Sequence, residues 1–284
     1  MSGNAAHWAH WRKVFEARRG RPAPALLNDD PFVLGIPASV SRSLAIFQLG
    51  ESGGGTIVRQ AQQSLLPGLD ANYAAAMALF VEEEHRHAEL LACCVRALRG
   101  KLLRSNWTAR LFVFARRLVG LRTKVTVLLA AEVVGLCYYR LLARRLPDCE
   151  IRATLHEIVA DERTHLDFHC AFLRSQVRTP LQRFVFVWAW RCLMLAAATA
   201  ALVDHAAALR DLGVSLHDLR QRWTVLRRGA ENLVTQPMAG PQYRPVLMRQ
   251  PPAEPPETGS TYNATAKKWQ TPPRSTKACQ MAWL

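Results

Sequence analysis

Apolar residues along this chain recur three and four positions apart over long stretches, while alternation with a period of two is scarce. The first spacing lines one face of an α-helix and the second one face of a strand, so the pattern predicts an all-α fold. Start and stop signals divide it. One helix is expected from about Ser39 to Leu65, ending before Pro67-Gly68. A second follows Asp70 as N-cap, runs to about Leu98 and stops at Gly100. A third starts at a cap on Ser105 or Asn106 and continues to about Leu146, with a kink at Gly120 and Pro147 as its stop. Asp148 caps a fourth, to about Val177. Thr179-Pro180 suits the N-cap and first position of a fifth, which ends at Gly213, and Ser215 caps a shorter one to about Val234. Residues 1–37 read as an N-terminal arm, with a turn at Asn28-Asp29-Asp30-Pro31. Residues 38–178 are expected to form one bundle, with additional helices over 179–234 packed on it. From 235 to 284 the chain is rich in Pro, Gly, Ser and Thr without an apolar period, the composition of a disordered tail.

Acids interrupt the apolar stripes at regular places. The second helix contains Val81-Glu82-Glu83-Glu84-His85-Arg86-His87 and the fourth Val159-Ala160-Asp161-Glu162-Arg163-Thr164-His165. Aligned on their valines, both carry Glu and, three residues on, His. Residues three apart share a helix face, so one carboxylate and one imidazole can reach one ion. Both pairs sit on core-facing stripes: Met77, Phe80, Glu84, His87, Leu91 in one helix and Leu155, Ile158, Glu162, His165, His169 in the other. Charge on such a seam is costly unless it is paired or metal-bound. The two remaining long helices each place a lone acid on their stripe, Glu51 between Phe47 and Val58 and Glu132 between Leu128 and Tyr139. Glu82 and His85 offer a rival Glu-x-x-His register, which aligns with nothing in the other half and leaves the stripe. Of the remaining polar residues in this run, Glu82, Glu83, His85 and Arg86 are expected to face solvent at least in part.

A Glu on one helix followed by Glu-x-x-His on the next, twice over, resembles the ferritin-like di-iron carboxylate proteins. The resemblance covers about residues 39–177. It implies a ferritin-like four-helix bundle in which Glu51, Glu84, His87, Glu132, Glu162 and His165 bind two metal ions. Glu84 and Glu162 would bridge, Glu51 and Glu132 would bind terminally, and each His would bind one ion. Hard oxygens with imidazoles suit a pair of iron ions, Fe/Fe or Mn/Fe. Asp161 and Asp204 are candidates to hold the imidazoles from behind. His169 reads as a core histidine or a further nitrogen ligand, and Tyr138 and Tyr139 as packing. The function implied is an O₂-dependent oxidoreductase of an organic small molecule, a hydroxylase, desaturase or oxidase fed by an electron donor. A non-catalytic iron-binding or peroxide-consuming protein is the alternative. Two features separate this chain from better-known branches. No tyrosine follows His87 by four residues, as the radical tyrosine of the ribonucleotide reductase small subunit does. The Gly50-to-Thr56 run is a poor helix former.

Charge adds a further expectation. The formal net charge is +15 and the sequence pI about 10.2. Arg96, Arg99, Lys101, Arg104, Arg110, Arg116, Arg117, Arg122 and Lys124 follow one another with no acid between them. Such a surface suits an anionic partner: an acidic carrier protein, nucleic acid or a membrane surface. The seven cysteines form no CxxC pair, and most sit in helical stretches and read as small core residues of a reducing, cytoplasmic compartment. Phe184 to Val203 is long and apolar enough to reach across a bilayer, interrupted only by Arg191. A central arginine disfavours a span, so this segment is expected to be buried or to touch a membrane, with Arg191 at an acid or in solvent.

Overall fold

The computed structural model describes residues 2–21, 34–53, 55–108, 110, 111, 114 and 120–236. The turn expected at 28–31, Arg116 and Arg117 of the basic stretch, and the tail beyond 236 lie outside them. Every regular element among the described residues is a helix: α1 Ser2–Glu16, α2 Ala38–Glu51, α3 Gly55–Gln62, α4 Ala71–Ala97, α5 Leu121–Arg145, α6 Glu150–Gln176, α7 Pro180–Asp211 and α8 Leu216–Thr235.

Local chemistry sets most of the boundaries. Asp70 accepts hydrogen bonds from the amides of Asn72 and Tyr73 at 2.9 and 3.0 Å, which satisfies two orphan donors at the start of α4. Thr179 and Gln182 form a reciprocal capping box with Pro180 in the first turn of α7. The α6 cap is Cys149, one residue later than expected, whose Sγ accepts from the Arg152 amide. Two breaks depart from the expected helices. The first long helix stops at Glu51, because the glycines that follow favour the unfolded chain, and α3 restarts at Gly55. Gly120 adopts φ +87°, a left-handed conformation that a side chain would strain, so the expected kink is a full interruption before α5.

Helices α2 and α4 pack as one pair and α5 and α6 as another, while α4 also meets α6. Contact between α4 and α6 brings the two Glu-x-x-His helices face to face. Their shared stripe is buried throughout: Met77, Phe80 and Leu91 on α4, Leu155, Ile158 and Phe168 on α6.

Residues 1–37 hold more than an arm. Trp8, Trp11 and Phe15, one face of α1, are almost fully buried. The Trp8 indole donates to the Gly68 carbonyl at 2.7 Å, and Trp11 and Phe15 lie 5.5 and 5.2 Å from the Phe168 ring. Three aromatics with this burial make α1 part of the core. Replacing Trp11 with Ala is expected to cost about 3 kcal/mol, the low end for emptying a buried aromatic site, read as a lower midpoint in urea unfolding of the metal-free protein.

Both α5 and α7 are long and apolar enough to cross a membrane, but they differ in setting. Over its most apolar stretch α5 is 78% buried and is a core helix, whereas α7 is 17% buried. The α7 helix turns only Phe186, Trp190, Met194, His205, Ala208 and Leu209 fully inward. Arg191 finds an acid, with Nη2 and Nε 2.7 and 3.2 Å from the Glu231 carboxylate. Leu181, Phe184, Val185, Trp188, Leu195 and Val203 are each more than half exposed. The cysteines at 94, 137 and 170 are buried as expected, Cys192 is exposed, and no disulfide joins any of the described ones.

Candidate metal centre

The α4–α6 contact gathers Glu84, His87, Glu162 and His165, each offering one ligand atom within 4.8 Å of the others. All four are buried. His87 Nδ1 lies 3.2 Å from Glu162 and 3.8 Å from Glu84, and His165 Nδ1 lies 2.9 Å from Glu84 and 3.7 Å from Glu162. Each central carboxylate therefore stands near both imidazoles.

Helix α5 adds Glu132, whose Oε2 is 3.8 Å from His165 Nδ1. Glu51 stands at the last turn of α2 and accepts a hydrogen bond from the Tyr139 hydroxyl at 2.8 Å. It is only half buried, since it also faces a cavity. The C-terminus of α2 carries partial negative charge, which favours a cation beside Glu51. His169, one turn after His165, is buried with Nε2 3.4 Å from Glu132 Oε1. Glu82 and His85 are exposed, and Glu82 pairs with Arg19. The rival register therefore does not face the cluster.

Behind the imidazoles lies an arrangement only half legible beforehand. His87 Nε2 donates to Asp161 at 3.2 Å, and His165 Nε2 donates to Glu83 at 2.9 Å. The connection crosses over: the acid preceding each motif glutamate holds the histidine of the opposite helix. Glu83, expected to be at least partly exposed, is buried. Asp161 does what was expected of it, whereas Asp204 sits away from the imidazoles, bonded to Asn106 and Trp107 at 2.6 Å each and to Thr108. Just past α1, Arg21 grips Asp161 with two bonds of 2.7 and 3.1 Å and reaches Glu83 at 3.4 Å, while Arg18 touches both acids and Thr164. Two guanidinium groups thus balance the two rear acids. The four inner carboxylates are left to be balanced by something else.

Several inner ligand atoms make no hydrogen bond of ordinary geometry and meet only one another, at the ion-pair distances above: Glu84 Oε1, both oxygens of Glu162, and Nδ1 of His87 and His165. Buried polar atoms are rarely left so. Their rear nitrogens are committed to acids, which fixes the rings with Nδ1 facing inward, as metal-binding histidines are held. Four carboxylates around two inward imidazoles match the charge of two divalent cations. The cluster can hold a metal.

Without metal, the groups share protons. Burial and the neighbouring Glu84 and Glu162 raise the Glu51 carboxyl well above its ordinary range, and burial with Glu162 and Glu84 does the same to Glu132. Burial opposes charge on His87, but Asp161 and Glu162 outweigh it and raise its pKa to about 9. His165 is likewise raised against burial, by Glu162, Glu83 and Glu84. Glu162 stays ionised, because protonated Glu132 and the two imidazoles overcome the burial penalty. Burial and the nearby His165 lower His169 to about 3, so that ring is neutral.

Holding the histidines from behind has a measurable consequence. Asp161→Asn or Glu83→Gln should weaken metal binding by about 10- to 100-fold, because the imidazole loses both orientation and basicity. Equilibrium dialysis with Co(II) reads the change, and affinity equal to that of the unmodified chain would remove these acids from the centre.

No family model, curated protein or solved structure matches this chain.

Proposed function

We propose that this protein is a ferritin-like O₂-dependent oxidoreductase that binds two iron ions, or one manganese and one iron, and acts on an organic small molecule. The reading is supported by the buried cluster of Glu84, His87, Glu162 and His165, to which Glu132, 3.8 Å from His165, and Glu51, held by Tyr139, would add one carboxylate each. That ligand set suits iron or manganese over softer metals. Glu84 and Glu162, each near both imidazoles, would hold the ions together with His87 and His165, and Glu132 and Glu51 would add a carboxylate each. When bound, the ions supply the electrons that reduce O₂. The protein's own part is to hold the ligands and exclude water. Phe15 and Phe80 flank the His165 ring at 6.0 and 4.8 Å and keep solvent from that side. Tyr139 positions Glu51, and Arg18 and Arg21 pair with Glu83 and Asp161, the acceptors behind the imidazoles. A cavity of about 330 Å³ reaches the four inner carboxylates, which favours a substrate-handling enzyme over an iron store. Metal analysis of protein from iron-replete cells, followed by anaerobic Fe(II) titration and O₂ uptake, tests the reading. About two ions per chain and consumption of O₂ are expected. Fewer than one ion per chain, or no O₂ uptake by the loaded protein, would overturn it.

A second feature bears on where the protein works. The exposed apolar stripe of α7 recurs at helical spacing from Leu181 through Phe184, Trp188 and Leu195 to Val203, and such a face marks an interaction surface. Its partner, in this reading, is an anionic bilayer on which α7 lies flat, because a net charge of +15 complements acidic headgroups and Trp188 suits the interface. Flotation with phosphatidylcholine–phosphatidylglycerol vesicles should recover the protein at low salt, and Phe184→Ser with Trp188→Ser should leave it in the soluble fraction. A stable dimer that ignores vesicles would assign the stripe to a second copy instead.

A further inference from the structure

The cavity that meets the carboxylates runs along α7. Its walls come from α2, α5 and α7, with Phe47, Leu128 and Gly135 on the first two and Ala197 and Ala201 on the third. Helix α7 carries large side chains over Phe184–Trp190, yet presents alanines at 196, 197, 200 and 201 where it faces this space. The small residues are what keep the space open. At its inner end stand Glu51, Glu84, Glu132 and Glu162, and the oxygens of the buried Glu162, which make no hydrogen bond of ordinary geometry, are among the groups there. Thr108, Leu111, Asp204 and His205 also line it. Leu111 is 51% exposed and Ala196 is also exposed, so the cavity reaches the surface on the apolar side of the molecule.

The polar groups away from the carboxylates exclude most ligands. Asp204 is already engaged by Asn106, Trp107 and Thr108. His205 bonds Ser43 through Nδ1 at 2.6 Å and stacks on Phe47, and burial lowers its pKa to about 4, so it is neutral. Among the described lining residues there is no lysine or arginine to pair with a phosphate or carboxylate. A sugar, nucleotide or amino acid would leave its polar groups unpaired here, at a penalty for each. A hydrocarbon chain has no polar groups of its own to leave unpaired and gains burial against the apolar walls.

We propose that this cavity binds the hydrocarbon tail of an amphiphile, with the inner carbons of the tail against Glu51, Glu84, Glu132 and Glu162 and the head group outside, beyond Leu111 and Ala196. That the tail is the part offered to the metals rests on the metal-centre reading, whereas its binding does not. The probe is therefore cis-parinaric acid, whose whole tail is unsubstituted hydrocarbon, titrated into metal-free protein and followed by fluorescence. One saturable site with enhanced emission is expected. Ala197→Phe and Ala201→Phe fill the cavity and should each weaken binding at least about tenfold, the effect of losing roughly 1.4 kcal/mol of contact. Leu195→Gln, on the exposed stripe, should leave binding unchanged. The filled variants should still bind Co(II) with the affinity of the unmodified chain. Absence of saturable binding, or filled variants that bind the probe normally, would overturn the assignment and leave the metal centre standing. Loss of metal with probe binding intact would have the opposite meaning. Should both filled variants fail to fold, photocrosslinking of the unmodified chain with a diazirine fatty acid decides: labels on α2, α5 and α7 cavity residues support the assignment, and labels confined to the outer stripe reject it.

Discussion

Metal affinity is expected to fall by about a hundredfold or more for each unit that the pH drops below neutrality, because binding must displace at least two protons. The count comes from the histidines. In metal-free protein His87, at about 9, is an imidazolium near neutral pH, and His165 is raised in the same way. Each uses Nε2–H to hold its rear acid, so the proton that must leave is the one on Nδ1, the nitrogen facing the cluster. The raised Glu51 and Glu132 carboxyls add further protons when they are made to bind. Competitive Co(II) titrations from pH 6 to 8, with proton release measured in weakly buffered solution, check the number. Release of less than one proton per chain would mean that the imidazoles do not bind through Nδ1.

The same protons set the stability of the metal-free fold, with a sign that can be worked out. His87 has a folded pKa of about 9 against an ordinary 6.5. The stability this contributes is fully present below pH 6.5 and is lost as pH rises toward 9. At about 1.4 kcal/mol for each tenfold change, that gap is of the order of 3 kcal/mol. Raised Glu51 and Glu132 act in the same direction, since the folded state keeps protons that the unfolded state has released. Metal-free protein should therefore weaken toward alkaline pH while metal affinity grows there.

How far these properties were legible in the sequence depended on which interactions carry them. The buried cluster was legible because each Glu-x-x-His is an anomaly on an apolar stripe, its i, i+3 spacing placing both groups inward. The caps at Asp70 and Thr179 were legible because they act within one turn. Glu83 was not, since three acids in a row at 82–84 look alike until the opposite helix supplies His165 to one of them. The hint was there in both motifs, an acid immediately before the ligand glutamate. The burial of α1 was hidden for a similar reason. A short helix with Trp8, Trp11 and several basic residues reads as an arm until Phe168 and Tyr73, more than sixty positions away, provide its floor. Arg18 and Arg21 then follow from α1, because only a docked helix can carry them to Asp161. The exposure of α7 was one of two outcomes that the sequence left open, burial or contact with a membrane. Its composition is that of a core helix, and only the packing shows which face meets the bundle.

Replacing Glu132 with Ala is expected to remove most of the metal while leaving the metal-free protein as stable as before, or more so. Among the described residues Glu132 is the one carboxylate that α5 brings to the cluster, standing between His165 and His169. An ion that loses it keeps too few oxygens, and no other acid on α5 can substitute. In the metal-free state the same carboxyl is a burden. Burial and the charges of Glu162 and Glu84 raise its pKa well above the ordinary range, so folding at neutral pH must take up a proton to accommodate it. Its removal ends that cost and leaves His169 without a close acid, which a ring with a pKa lowered to about 3 tolerates because it is neutral. Saturating metal stabilises a fold by mass action, about 2.7 kcal/mol at a hundredfold excess over the dissociation constant. Under anaerobic conditions, Fe(II) should thus raise the melting temperature of the unmodified chain by several degrees and barely move that of Glu132→Ala. Conversely, the metal-free variant should melt at or above the metal-free parent, most visibly at pH 8, where the parent's buried acids are hardest to keep protonated. Equal Fe(II)-induced shifts in the two proteins would take Glu132 out of the centre and reduce the ligand set to the cluster on α4 and α6 with Glu51 beside it.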